Sequence, residues 1–294
     1  MPQGIPVKSI LNKTKRRDPW FLDDYTANPY NGCSFNCLYC YIRGSKYGEN
    51  MADKTSYKSN ALELFEKELG LRAKKQQYGF IVISSATDPY LHFEEELKLT
   101  RGMLELSLKY KFPVHIITKS PLVERDFDIL QEINNTAILP LDLSDKLKGV
   151  IISFSFSTIN NSIGKIFEPG APSPTDRLVA VRKSIAEGFK SGISLMPLLP
   201  YITDTGTHLR EMLSAFKSAN ASYVLPATLT LFGNDRWDSK TLVLRAVEKH
   251  YPHLLAKYQN FFQSKTQMPD YYSLAFYEKM KELNKEFGVK SFIL

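Results

Sequence analysis

The chain has 294 residues, 43% hydrophobic and 23% charged, which is enough apolar sequence for a large core and too much for a disordered tail. Its longest apolar stretches, 150–156 and 195–202, are broken by Ser or Pro far short of the roughly 18 residues that span a bilayer, so no membrane span is expected. The formal charge is +7, from 38 Lys and Arg against 31 Asp and Glu, an excess that suits polyanionic partners where it clusters on one face.

Residues 1–23 carry the basic run Lys13, Lys15, Arg16 and Arg17 but no apolar signal-peptide core, and they read as a solvated N-terminal extension. The whole chain has three cysteines, which excludes a disulfide-stapled secreted fold and gives a reducing cytoplasm as the expected location. A first strand is expected over 24–29. Directly after it all three cysteines fall in Asn31-Gly-Cys-Ser-Phe-Asn-Cys-Leu-Tyr-Cys-Tyr41, a C-x3-C-x2-C run. Thiolates are soft ligands that suit an iron–sulfur cluster, zinc or copper, and eight residues of loop can gather three of them at one centre. Structural zinc takes four protein ligands, and here there is neither a fourth Cys nor a nearby His, the next being His92. A cubane held by three thiolates leaves one iron open to a small molecule, which is a catalytic arrangement.

Apolar β-branched runs recur at 79–84, 112–118, 149–155, 192–196 and 222–225, and read as buried strands. Helices are expected between them: 59–74, 94–111, 121–134, a segment placing Leu178, Val181, Ile185 and Phe189 on one face after a Ser-Pro-Thr-Asp start, and 207–219. Six strand–helix units imply a parallel sheet with its ligands at the C-terminal strand ends, in the form of a partial (β/α)6 TIM barrel over 24–234. From Asp235 onward an aromatic-rich region, with Phe276, Met280, Leu283 and Phe287 in a helical stripe, is expected to be a helical C-terminal cap over 235–294 packed on the barrel. Polar residues follow successive strands: Thr87 and Asp88, Lys119, Ser155, then Glu168 and Arg177. His92, His115 and His208 lack metal-ligand spacing and read as structural.

The C-x3-C-x2-C spacing, with an aromatic residue before the last Cys, resembles the signature of radical S-adenosylmethionine enzymes. That resemblance implies a 4Fe–4S cluster on Cys33, Cys37 and Cys40 whose open iron chelates S-adenosylmethionine, and reductive cleavage of the latter to methionine and a 5′-deoxyadenosyl radical that abstracts a substrate hydrogen. The blocks Thr87-Asp-Pro-Tyr90 and Glu168-Pro…Arg177-Leu178 look like those of the spore photoproduct lyase-like, or DNA repair photolyase-like, family from about Tyr25 to Leu231. This implies that Tyr39 and Tyr41 border the cluster and adenosyl group, that Thr87 and Asp88 sit near the methionyl or ribose part, and that Lys119 and Ser155 hold the carboxylate and sugar. Glu168 and Arg177 are further cofactor-binding candidates; a pair linking strand to helix would look the same. The family's additional cysteine, a hydrogen-atom donor, is absent: Ser85 stands near that place, its O–H bond is too strong for the role, and Tyr41 is the candidate relay. The implied substrate is a damaged or modified nucleic acid, and the implied partner an electron donor such as flavodoxin or ferredoxin. Radical chemistry on a peptide or small metabolite, and a non-catalytic iron–sulfur or zinc protein, are the alternatives.

Overall fold

The computed structural model describes residues 2–45, 48 and 55–294. The apolar runs form six parallel strands: β1 (Tyr25–Ala27), β2 (Ile81–Ile83), β3 (Val114–Thr118), β4 (Val150–Phe156), β5 (Lys190–Leu198) and β6 (Val224–Thr228). Each pairs in parallel with the next in sequence order. Crossovers of one hand between such neighbours stack the helices on one face and curl the sheet. Those helices are α1 (Ala61–Lys74), α2 (Leu99–Lys109), α3 (Phe127–Thr136), α4 (Pro174–Ala186) and α5 (Gly206–Ser218). β1 and β6 do not pair, so the barrel is partial.

Side chains alternate across each strand. One set, including Ile81, Val114, Ile116, Val150 and Ile152, packs on the helices through Phe65, Met103, Leu104, Leu130 and Ile133. The other, including Phe80, Ile151, Tyr223 and Leu225, packs within the curl together with Phe21, Leu22 and Ile293. The sequence signals at helix starts hold in detail: the Ser173 hydroxyl accepts the Asp176 N–H and Pro174 opens α4.

The N-terminal segment is more integrated than a solvated extension. Leu11–Lys13 adds an antiparallel strand to β1, and Gln3–Ile5 joins Ser56–Lys58 and Tyr30–Asn31 in a small second sheet beside the start of the cysteine loop. The open edge of β6 is met by the C-terminal tail, where Val224 N–H donates to the Lys290 carbonyl at 2.8 Å. The helix expected over 94–111 breaks at Lys98, whose φ is 50°. The cause is the buried Glu94 carboxylate, which accepts the Thr100 and Arg101 N–H groups at 3.1 and 3.3 Å and so caps α2 afresh. The expected helix at 121–134 opens as a 3-10 turn, Pro121–Asp126, with α3 following. A short helix, Asn161–Phe167, capped by Asn160, had no signal in the periodicity.

The C-terminal region is helical as expected: α6 (Ser239–His250), α7 (Leu255–Phe261) and α8 (Asp270–Phe287). Phe276, Met280 and Leu283 of α8 are buried in the outer core. α6 and α7 bury Val243, Val247, Tyr258 and Phe261 against Tyr39, Phe167, Leu199 and Leu229, beside the cysteine loop. Among the described residues no helix is long and apolar enough to cross a membrane.

Candidate active site

The cysteine loop leaves β1 and is tied to several distant segments. Leu38 N–H donates to the Phe167 carbonyl at 2.8 Å, and Gly170 N–H to the Phe35 carbonyl at 3.0 Å. The Thr87 hydroxyl donates to the Gly32 carbonyl. Position 170 needs glycine because a Cβ there would lie 2.3 Å from the Ser34 carbonyl oxygen.

Cys33, Cys37 and Cys40, all free thiols, open onto one cavity of about 420 Å³ at the C-terminal strand ends. Burial pushes the Cys33 thiol up to about 12 and raises Cys37 and Cys40 as well. An electropositive metal centre is what converts such thiols to thiolates. Among the described residues no group of three or more His, Cys, Asp or Glu side chains is gathered around a single ion position. Three thiolates on separate irons of a cubane need not share one. Three soft ligands on one cavity wall, and no fourth, fit a 4Fe–4S cluster with an open iron.

Of the residues singled out in the sequence, Tyr39, Tyr41, Thr87, Asp88, Lys119 and Ser155 line this cavity. Their hydrogen bonds sharpen the roles. The buried Asp88 carboxylate accepts the Thr118 hydroxyl and the Lys119 and Tyr90 N–H groups at 2.7, 2.7 and 2.9 Å. Burial raises its pKa although these bonds pull the other way. It therefore fastens the end of β2 to the end of β3 and sets the base of Lys119. Glu168 and Arg177, the other two candidates, are not on the cavity lining but pack next to it. Their side chains are 0% and 1% exposed and form an ion pair. Glu168 also accepts the Tyr39 and Ser157 hydroxyls, and Arg177 donates to the Ser155 carbonyl at 3.0 Å. Burial alone would raise the Glu168 carboxyl, but Arg177 and Lys119 outweigh it and hold the pKa below the usual carboxylate range. Lys119 Nζ is 4.0 Å from Glu168 Oε1 and 6.0 Å from the centre of the Tyr39 ring. Tyr41 is exposed and its hydroxyl donates to the Ser85 carbonyl at 2.8 Å.

His92, His115 and His208 are each bonded to a backbone carbonyl or a hydroxyl. His115 is bonded between the Phe21 carbonyl and the Ser153 hydroxyl, and burial lowers its pKa to about 4. His92 meets the Gly170 carbonyl and His208 the Thr158 hydroxyl. Sequence reasoning missed several lining residues: Phe21 and Asp23 from the segment ahead of β1, Ser84, Ser194 on β5, and Thr228 on β6. Ser84 and Ser194 were findable as polar positions in apolar strands; Phe21 and Asp23 carry no local signal.

Residues 27–216 match the family model described as the radical SAM superfamily, and the chain belongs to that superfamily. It is accordingly a radical SAM enzyme, of a class that uses a 4Fe–4S cluster and S-adenosylmethionine. An uncharacterized protein of Mycobacterium tuberculosis is 26% identical over 285 residues, 95% of this chain and 78% of its own length. One of Methanocaldococcus jannaschii is 27% identical over 203 residues, 68% of each chain. Among solved structures, a spore photoproduct lyase mutant with bound AdoMet and dinucleoside spore photoproduct superposes with a TM-score of 0.62 at 16% identity, over 90% of this chain and 74% of that one. Streptococcus suis SuiB bound to precursor peptide SuiA gives 0.51 at 12% identity, over 89% and 46%. At these identities the likeness is one of fold.

Proposed function

We propose that Cys33, Cys37 and Cys40 hold the cluster, that the adjoining cavity takes S-adenosylmethionine, and that the radical so formed acts on a damaged or modified nucleic acid. Held by these thiolates and reduced, the cluster would supply an electron for reductive cleavage of S-adenosylmethionine. The observation that carries the reading is the meeting of all three thiols with Lys119, Ser155 and Thr87 on one cavity. Lys119 offers a compact ammonium to a carboxylate, and the hydroxyls of Ser155 and Thr87 suit a ribose. Asp88 positions Lys119; Glu168 and Arg177 position Tyr39 and the Ser155 backbone. Tyr41, bordering the cavity at Ser85, is the hydrogen-atom relay. In this reading 24–234 is the catalytic barrel, 235–294 its cap and 1–23 the extension that completes it.

For the substrate class, the support lies around the mouth. Trp237, on the loop after β6, is exposed with Arg236 over its ring at 4.8 Å, and Tyr201, after β5, is exposed with Lys257 at 4.4 Å. Aromatic rings interleaved with cations suit bases and phosphates, as does the net charge of +7. The spore photoproduct lyase of similar fold was solved with a dinucleoside. Members of this class need an electron donor, and a flavodoxin or ferredoxin in the cytoplasm fits the free thiols. The test is anaerobic reconstitution with iron and sulfide, then dithionite and S-adenosylmethionine, reading 5′-deoxyadenosine beside a Cys37→Ala control. Formation by the wild type alone supports the radical assignment; a loaded cluster that neither binds nor cleaves S-adenosylmethionine refutes it. Nucleic-acid affinity that does not change between low and high salt removes the substrate class.

A further inference from the structure

The cavity lining includes residues that the cofactor reading does not use. Cys33 follows β1 in the chain and Asp23 precedes it, and both border the cavity. Asp23 is half-buried and borders this cavity beside Phe21, whose carbonyl bonds buried His115, and the Asp18 N–H donates to Asp23 Oδ1 at 2.9 Å. No other residue's side chain donates to the Asp23 carboxylate among the described residues, and burial pushes its carboxyl above the ordinary value. Apolar Phe21, Val82, Ile117 and Met196 line the same cavity. Ser84, at the exit of β2, is 2% exposed with φ of 66°, and its hydroxyl has no partner among the described residues. A buried hydroxyl left unmatched on a cavity wall, in a backbone conformation that L-residues avoid, marks a place shaped for a ligand. Lys119, the cation on this lining, is engaged with Glu168 and stands beyond the exit of β3.

We propose that Asp23 and Ser84 are the substrate-recognition residues of this cavity, and that Asp23 accepts a hydrogen bond from the ring N–H edge of a nucleobase. The inference rests on the reading above and adds to it which part of the nucleic acid enters. A phosphate is repelled by the carboxylate; a flat, mostly apolar ring with an N–H donor meets both the apolar walls and the acceptor. The Ser84 hydroxyl then serves a ring carbonyl.

The test uses the reconstituted full-length protein saturated with S-adenosylmethionine, and measures binding of thymidine and guanosine, each beside its ring-N-methylated form, by saturation-transfer NMR and calorimetry. At least one parent nucleoside is expected to bind about tenfold tighter than its methylated form, the scale of a hydrogen bond to a charged group. Asp23→Asn, which keeps the side-chain shape, is expected to remove most of that preference, and Ser84→Ala to weaken the parent nucleoside, while S-adenosylmethionine affinity stays as in the wild type in both. Equal binding of parent and methylated forms, no nucleoside binding, retention of the full preference by Asp23→Asn, or tighter binding of a blocked dipeptide amide each overturns the proposal. Loss of S-adenosylmethionine binding by the wild type fails the underlying cofactor reading instead, so the two failures are distinct.

Discussion

Replacing Arg177 by Met keeps a long side chain but strips Glu168 of its main counter-charge in a site where both side chains are at most 1% exposed. Breaking a buried ion pair by removing one partner costs about 3–5 kcal/mol. Lys119, 4.0 Å away, offsets part of this, whereas the Ser155 and Pro172 carbonyls lose their donor, so about 3 kcal/mol is expected at neutral pH. The pH dependence follows from the sign of the shift. Glu168 is held below the usual carboxylate value, so in the wild type the pair's contribution is present above about pH 4.3 and is lost as pH falls through the lower folded value. In Arg177→Met burial dominates, Glu168 rises above that reference, and the deficit shrinks as pH drops and the carboxyl takes a proton. Urea unfolding of both proteins at about pH 7.5 and about pH 5 reads the difference directly. The double variant Glu168→Gln/Arg177→Met should recover part of the loss, because what stays buried is neutral. A single variant within about 1 kcal/mol of wild type, or a deficit that grows on acidification, would refute the buried-pair account.

Lys119→Met should weaken S-adenosylmethionine about tenfold to a hundredfold in equilibrium dialysis with the cluster still loaded; unchanged affinity removes Lys119 from the site. Gly170→Ala, which sets a methyl against the Ser34 carbonyl, should cost about 1–3 kcal/mol and lower the iron retained after reconstitution, whereas full loading would mean that the 168–170 segment gives way. His115, with a pKa near 4 from burial, should show no imidazole titration by NMR above about pH 5. Its unfolded form takes a proton near pH 6.5, so folding stability should fall by up to about 3 kcal/mol as pH drops from there to the folded value; a normal titration would contradict the bonding to Phe21 and Ser153.

The strands and the cysteine loop were legible because their signals are local: β-branched runs bounded by polar turns, and three thiols in eight residues. Their order in the sheet followed from alternation with helices. The break at Lys98 was not legible, since it depends on Glu94 being buried and turned back on the next helix, a tertiary event. The same holds for Glu168 and Arg177. Sequence offered two equal readings, cofactor contact or strand-to-helix link, and nothing local to either residue shows the Tyr39 and Ser157 hydroxyls that surround the carboxylate. Asp88 was found as a polar strand-end residue, but its commitment to three donors requires the neighbouring strand. Asp23 was invisible because nothing in Leu22-Asp23-Asp24 tells that this segment borders the cavity.

The ties on the cysteine loop have a bearing on damage and repair. In small zinc domains the metal is the scaffold, and removing it unfolds the chain. Here the loop is moored by Phe167, Gly170, Thr87 and Glu168 through bonds in which no sulfur takes part. Those ties constrain the loop backbone independently of the thiols. On that footing, replacing a lost cluster is expected to be a reloading step and not a refolding one.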